Sequence, residues 1–424
     1  MDLNSEKFPA WFRWIWVALA CWALYWQGMG FLNSLKPKLP DIGDFFQDWA
    51  SARNYFEGFP LYTDQLITIE HYLKVKIESQ QQLNNINFIN AHPPTSILLT
   101  MPFVFFDYEN AQLVWNLISL GLFIITLWRI FRELNIKITI WMLPPFIVFL
   151  LICNPLRQHL NQGQLTLVIL FLLVEAWIAD RSGHNWVAGS LIGVAASIKL
   201  FPGFMLLYFI LRRKWQSLLA GILCCLLLAG LTAGILGPGV YKTYIKDVLP
   251  EIDRFRSHWL NASITGFWSK LFDADPSERL VPIIQSPIIE KITSGLSYFV
   301  VFNCLFWVKK GHKIKEDYDN LYSLFMVAML LVAPITWDNN FLLLLLPFII
   351  IWIRIKEIKN LNFLFLIIFG VLCLEEPIIW RLFYPEGWGN IARPLQSLTV
   401  LAYQFYALVG FFVIGLMTCK FKKS

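Results

Sequence analysis

Apolar blocks of roughly 15 to 25 residues recur along the chain, parted by short polar clusters, which is the pattern of helices that cross a bilayer. A window of about twenty residues predicts about twelve crossings, at 11–32, 108–128, 138–153, 165–179, 186–198, 201–211, 217–236, 288–308, 320–336, 341–353, 361–374 and 395–418. The fifth and sixth blocks are too short to span about 30 Å of hydrocarbon at 1.5 Å per residue. Arg181 before them and Arg212 after them both read as cytoplasmic, so the pair is expected to form a short hairpin broken around Phe201-Pro202-Gly203. The tip of that hairpin carries Lys199.

The whole chain, 1–424, reads as a single integral membrane domain with two long outer loops, 33–95 and 237–287. In the first loop Leu66, Ile69, Leu73 and Ile77 recur at helical spacing, which predicts an amphipathic helix lying on the outer leaflet. A third polar segment, about 375–394, carries Glu375, Glu376, Arg381, Glu386 and Arg393. Most of the non-helical polar chain therefore collects on one side. The apolar stretch from Trp11 to Leu32 exceeds the length of a signal-peptide core and is expected to be a retained first helix.

Composition supports the pattern. With 57% hydrophobic and 15% charged residues, a soluble domain, a disordered chain and a secreted disulfide scaffold are all excluded. The net charge of +6 does not mark a nucleic-acid binder, because the basic residues are dispersed in small clusters at block ends. Arg129 with Arg132, Arg212 to Lys214, Lys309-Lys310, Arg354 with Lys356 and Lys420 to Lys423 are such clusters. With both termini in the cytoplasm, Lys and Arg are about threefold denser in the inner loops. Seven cysteines form no disulfide framework and no zinc spacing.

Five stretches could carry chemistry. In Asp44-Phe45-Phe46-Gln47-Asp48 the two carboxylates are four apart and share a helix face, where a partly desolvated carboxylate can take a proton from a hydroxyl. The plain alternative is a helix start, with Asp44 capping and Asp48 pairing with Arg53. The run Asn154 to Gln164 packs amides between two apolar blocks, suited to sugar hydroxyls or to a hydrated turn with Gln164 capping the next helix. Lys199 can hold a lipid phosphate as a point charge, or can snorkel to the headgroups. Asn261-Ala262-Ser263 matches a glycosylation sequon, a short and frequent match. Pro334-Ile335-Thr336-Trp337-Asp338-Asn339-Asn340 sets an interfacial tryptophan beside a carboxylate and two amides.

In this order the stretches resemble glycosyltransferase family 87, membrane mannosyltransferases of the GT-C superfamily that use polyprenyl-phosphate sugars. The resemblance rests on Asp44-Phe45, Gly58 to Tyr62, His92-Pro93-Pro94, Gly163-Gln164, Ile198-Lys199 with Pro202, Asn261 with Ser263, and Pro334 to Trp337. Members carry Tyr-Pro-Pro where this chain has His92-Pro93-Pro94, and Gly-Gln-x-Asn where it has Gly163-Gln164-Leu165-Thr166. They often carry a histidine where Asn339-Asn340 stands here.

The resemblance implies an all-α polytopic protein of GT-C type in the cell (inner) membrane, acting on the extracytoplasmic face. It implies inverting transfer of a hexose, mannose foremost, from a polyprenyl-phosphate donor to a glycolipid or glycan acceptor. Asp44 is the expected base with Asp48 as the alternative, and Lys199 is expected to bind the donor phosphate. His92, Gln164, Asn261, Ser263, Trp337, Asp338 and Asn339 are the expected substrate contacts. No cofactor or metal is required, and no nucleic acid is a partner. A transporter or flippase of a lipid-linked saccharide is the rival reading. Its expected marks are related halves and a polar path to both faces.

Overall fold

A computed structural model describes residues 10–37, 39, 42–76, 89–310, 315–356, 358–375 and 391–419. Ile77, Glu376, Arg381, Glu386 and Lys420 to Lys423 lie outside the described residues. Among the described residues every regular element is helical, and the one isolated bridge pairs Leu280 with Ala392. Among the described residues, six helices are long and apolar enough to cross a membrane, or seven if a bent pair counts as one span. Trp14, Trp26, Leu227 and Phe299 on these helices are exposed, as side chains facing lipid are. The chain is a multi-pass membrane protein.

The chain divides into two compact units. The first comprises residues 1–178, 187–200 and 220–251. It contains α1 (Ala10–Leu35), α2 (Phe45–Glu57), α3 (Gln65–Leu73), α4 (Pro94–Thr100), α5 (Tyr108–Glu133), α6 (Leu143–Ile152), α7 (Asn154–Gln162) and most of α8 (Thr166–Arg181). It also takes most of α9 (Asn185–Ile198) and of the span Trp215–Leu236. Helix α1 packs against α6. Arg129 near the end of α5 forms a two-pronged pair with Glu175 of α8, at 2.6 and 2.7 Å, which satisfies a carboxylate on an apolar helix.

The amide-rich run after α6 is not a loop. It is the helix α7, bent by 56° from α6 at Cys153, whose extended backbone ends one helix and starts the next. Pro155 occupies the first turn, where its missing N–H costs nothing, and Gly163 ends the helix in the left-handed region at φ 61°. An added Cβ at Gly163 would sit 2.5 Å from Cβ of Phe45, so glycine is required twice over. Gly193 of α9 has the same tightness against the backbone of Gly221, letting two helices approach closely.

The second unit comprises 179–186, 201–219 and 252–424. It holds α10 (Leu206–Arg212), α11 (Ile264–Phe272), α12 (Pro287–Lys310), α13 (Lys315–Val332), α14 (Leu345–Ile355), α15 (Lys359–Cys373) and α16 (Tyr403–Thr418). The basic cluster after α10 is anchored on acids: Lys214 pairs with Asp180, Arg212 lies 3.6 Å from Asp180, and Arg181 pairs with Asp319. Charges at block ends are thus neutralised within the protein.

Candidate active site

Asp44 stands at the start of α2, yet its side chain makes no cap bond. One carboxylate oxygen accepts from Nε2 of Gln47 at 2.8 Å, and the other accepts from the side-chain amide of Gln164. The same Gln164 accepts at its Oε1 from Nζ of Lys199 at 2.7 Å. A carboxylate, an amide and an ammonium thus form one hydrogen-bonded chain, assembled from residues 35 and 120 positions apart. Trp115 donates from its indole to the Gln164 carbonyl at 3.2 Å, and Gln162 accepts from the Asp44 backbone N–H at 3.1 Å. Lys199 sits in the bend after α9, with its own N–H bonded to the Ala195 carbonyl. Gln164 therefore links charges rather than capping a helix, and the lysine is partnered rather than snorkelling.

The two acids at the head of α2 differ. Asp48 does not pair with Arg53, whose guanidinium lies over the Trp49 ring at 4.7 Å. Its Oδ1 accepts from Asn90 at 3.1 Å and Ser96 at 2.8 Å, and its Oδ2 lies 2.7 Å from Nδ1 of His92. Burial pushes the Asp48 carboxyl up, but His92, Ser96 and Asn90 outweigh it and hold the group below the usual carboxylate range. Burial also pushes Asp44 up, and there it prevails over the opposing pull of His92, Lys199 and Gln164. Burial drives the Lys199 ammonium down to about 8 against the pull of both carboxylates. Paired acids with opposed shifts are what divides acid–base labour. Asp44 is the one with proton affinity to spare.

Asn261, Ser263, Trp337, Asp338 and Asn339 lie in the second unit. Asn261 is fully buried and spends its amide inside the protein. It donates to the carbonyls of Arg256 and Pro334 and accepts from the N–H groups of Ser263 and Thr336. Ser263 caps α11 by accepting from Gly266 N–H and donates to the Pro334 carbonyl. These two residues lock one loop onto the other and so place Trp337, whose ring meets that of His258 edge-on at 4.7 Å. Asp338 accepts from the Asn339 N–H at 2.7 Å, while the Asn339 side-chain oxygen is buried with no partner among the described residues.

Four supporting residues escape sequence reasoning. Gln47, Asn90 and Ser96 owe their importance to partners across the fold. Lys270, 1% exposed, ties the carbonyls of Trp259, Asn261 and Leu401 together at 3.0 to 3.1 Å. A signal for it existed, since Phe267, Lys270 and Leu271 share one helix face.

The sequence profile of glycosyltransferase family 87 matches residues 90–334, more than half of the chain. The chain is similar to the polyprenol-phosphate-mannose-dependent alpha-(1-2)-phosphatidylinositol mannoside mannosyltransferase of Mycolicibacterium smegmatis. The two are 22% identical over 87% of this chain and 82% of the relative. It is also similar to the Mycobacterium tuberculosis protein of the same description, at 22% identity over 95% of this chain and 90% of the relative. A polyprenol-phosphate-mannose-dependent alpha-(1-2)-phosphatidylinositol pentamannoside mannosyltransferase of M. smegmatis is 24% identical over 61% of this chain. In that pairing the chain spans 62% of the relative's length. No solved structure gives a significant match. Matched over more than half its length by one profile, the chain belongs to glycosyltransferase family 87.

Proposed function

We propose that this membrane glycosyltransferase moves a hexose, mannose foremost, from a polyprenyl-phosphate donor to a glycolipid or glycan acceptor, with inversion at the sugar carbon. The observation that carries the reading is the chain Asp44–Gln164–Lys199, which holds a base and a cation on either side of one amide. The Asp44 carboxylate takes the proton of the acceptor hydroxyl, for which its upward-shifted proton affinity suits it. The Lys199 ammonium steadies the donor phosphate as negative charge builds on it. Asp48 is proposed to position its neighbours, because His92, Ser96 and Asn90 hold its carboxyl below the usual range, whereas burial raises that of Asp44.

Supporting the donor are the relatives' names and the absence from the sequence of a glycine-rich nucleotide loop. The active side is proposed to be extracytoplasmic, in the cell membrane. That assignment follows from about twelve crossings with both termini inside, α3 on the outer leaflet, and the denser Lys and Arg of the inner loops.

The test is transfer of radiolabelled mannose from polyprenyl-phosphate-mannose to the glycolipids of native membranes by the full-length protein. A single-hexose product is expected. Intact donor with no new glycolipid would overturn the reading.

A further inference from the structure

The proposed transfer leaves one imidazole without a task. We propose that His92 is a second catalytic residue, an imidazolium whose Nε2–H bonds to, and then protonates, the phosphate oxygen that leaves the sugar, with Asp48 as its positioning residue. This deepens the reading above and rests on its lipid-phosphate donor.

The ring is fixed from every side but one. Its Nδ1 lies 2.7 Å from Asp48 Oδ2, its backbone N–H donates to Asn90 Oδ1 at 2.9 Å, and its carbonyl accepts from the Tyr62 hydroxyl at 3.0 Å. The Asp48 carboxylate is fixed in turn by Asn90 and Ser96. Nε2 takes part in no hydrogen bond among the described residues and is the ring's open end. A carboxylate on one nitrogen orients an imidazole and stabilises its protonated form.

Charge balance with an ionised Asp44 supports the assignment. Asp44, Asp48, Lys199 and His92 interact electrostatically in one partly desolvated cluster. Two carboxylates and one ammonium leave an excess negative charge, which such surroundings penalise. An imidazolium brings the sum to zero. The pull of His92 is also the strongest influence opposing protonation of Asp44, so the cation helps keep the base ready.

The step balances. The acceptor oxygen bonds to the anomeric carbon and gives its proton to Asp44. The bond from that carbon to the phosphate oxygen breaks, its electron pair stays on the oxygen, and the Nε2 proton follows. Lipid phosphate leaves as a monoanion, with Asp44 and His92 both neutral, and water carries the proton from one to the other.

The full-length protein, labelled with ring-15N histidine in lipid nanodiscs, tests this by NMR, with His92→Gln to assign the signal. At pH 7 both nitrogens of His92 are expected to carry protons, and Asp48→Asn is expected to return a neutral ring. In mannose transfer from polyprenyl-phosphate-mannose, His92→Gln is expected to lower kcat about 100-fold with little change in the donor KM. A neutral ring in the wild type, or an unchanged kcat in His92→Gln, would overturn the assignment. Should His92→Gln fail to fold, Asp48→Asn keeps the ring, and its spectrum and kcat decide. If the wild type transfers no mannose, the reaction reading falls, whereas the spectrum still reports separately on the charge of His92.

Discussion

Asp44 and Lys199 are joined through the two ends of the Gln164 amide, whose N–H group donates to the acid and whose oxygen accepts from the amine. The arrangement keeps opposite charges close without letting them collapse into a direct ion pair, and both residues stay half-buried.

Replacing Asp44 by Asn keeps the shape and one of the two bonds from Gln47 and Gln164, because an amide has a single accepting oxygen, and removes the base. Transfer of mannose in membranes is expected to fall about 100- to 10,000-fold in kcat, with the donor KM nearly unchanged. Asp48→Asn acting like wild type, beside a dead Asp44→Asn, would keep Asp44 as the base and count against the role given to Asp48 and His92.

The pH dependence follows from the two shifted groups. As the proposed base, Asp44 works when ionised, so transfer is expected to rise with pH at values above the ordinary carboxylate range. As the proposed phosphate ligand, Lys199 works when charged, and that form is lost as pH rises through about 8. A bell-shaped profile is expected. In Lys199→Arg, whose guanidinium stays charged, the Lys199 contribution to the alkaline decline is expected to vanish.

Gln164→Leu removes both links in the chain while keeping volume. It leaves Asp44 short of one donor and Lys199 short of its acceptor. A loss of about 10- to 100-fold in transfer is expected, consistent with removing one to two charge-assisted hydrogen bonds. Steady-state kinetics in nanodiscs checks it.

Gly163→Ala forces a side chain into the left-handed region and against Phe45. A destabilisation of about 2–5 kcal/mol is expected, read as a lowered melting temperature of the detergent-purified protein.

Much of this site could be read before any coordinates. Gln164 and Lys199 stood out because each is polar at the edge of an apolar block, where an unpaired polar group is penalised, and Asp44 because it shares a helix face with Asp48. Their mutual partnership could not be read, since 120 positions separate Asp44 from Gln164 and no local pattern reports on such a distance. The same holds for Asp48, whose local partner was expected to be Arg53 and whose real one is His92, 44 positions away. Asn261 reads as a surface sequon yet is buried, because its four hydrogen-bonding partners lie in backbone that sequence does not describe. Residues Asn154–Gln162 looked like a loop because their amides hide the helical period, although Pro155 and Gly163 mark its two ends.

The bend at Cys153 has a kinetic consequence. It turns a polar segment into a stiff rod ending in a glycine that fits only one way, so the amides of Gln162 and Gln164 wait in place before any substrate arrives. Little ordering is left to do on encounter, and the free energy of docking a greasy, phosphorylated sugar can go into the reaction itself.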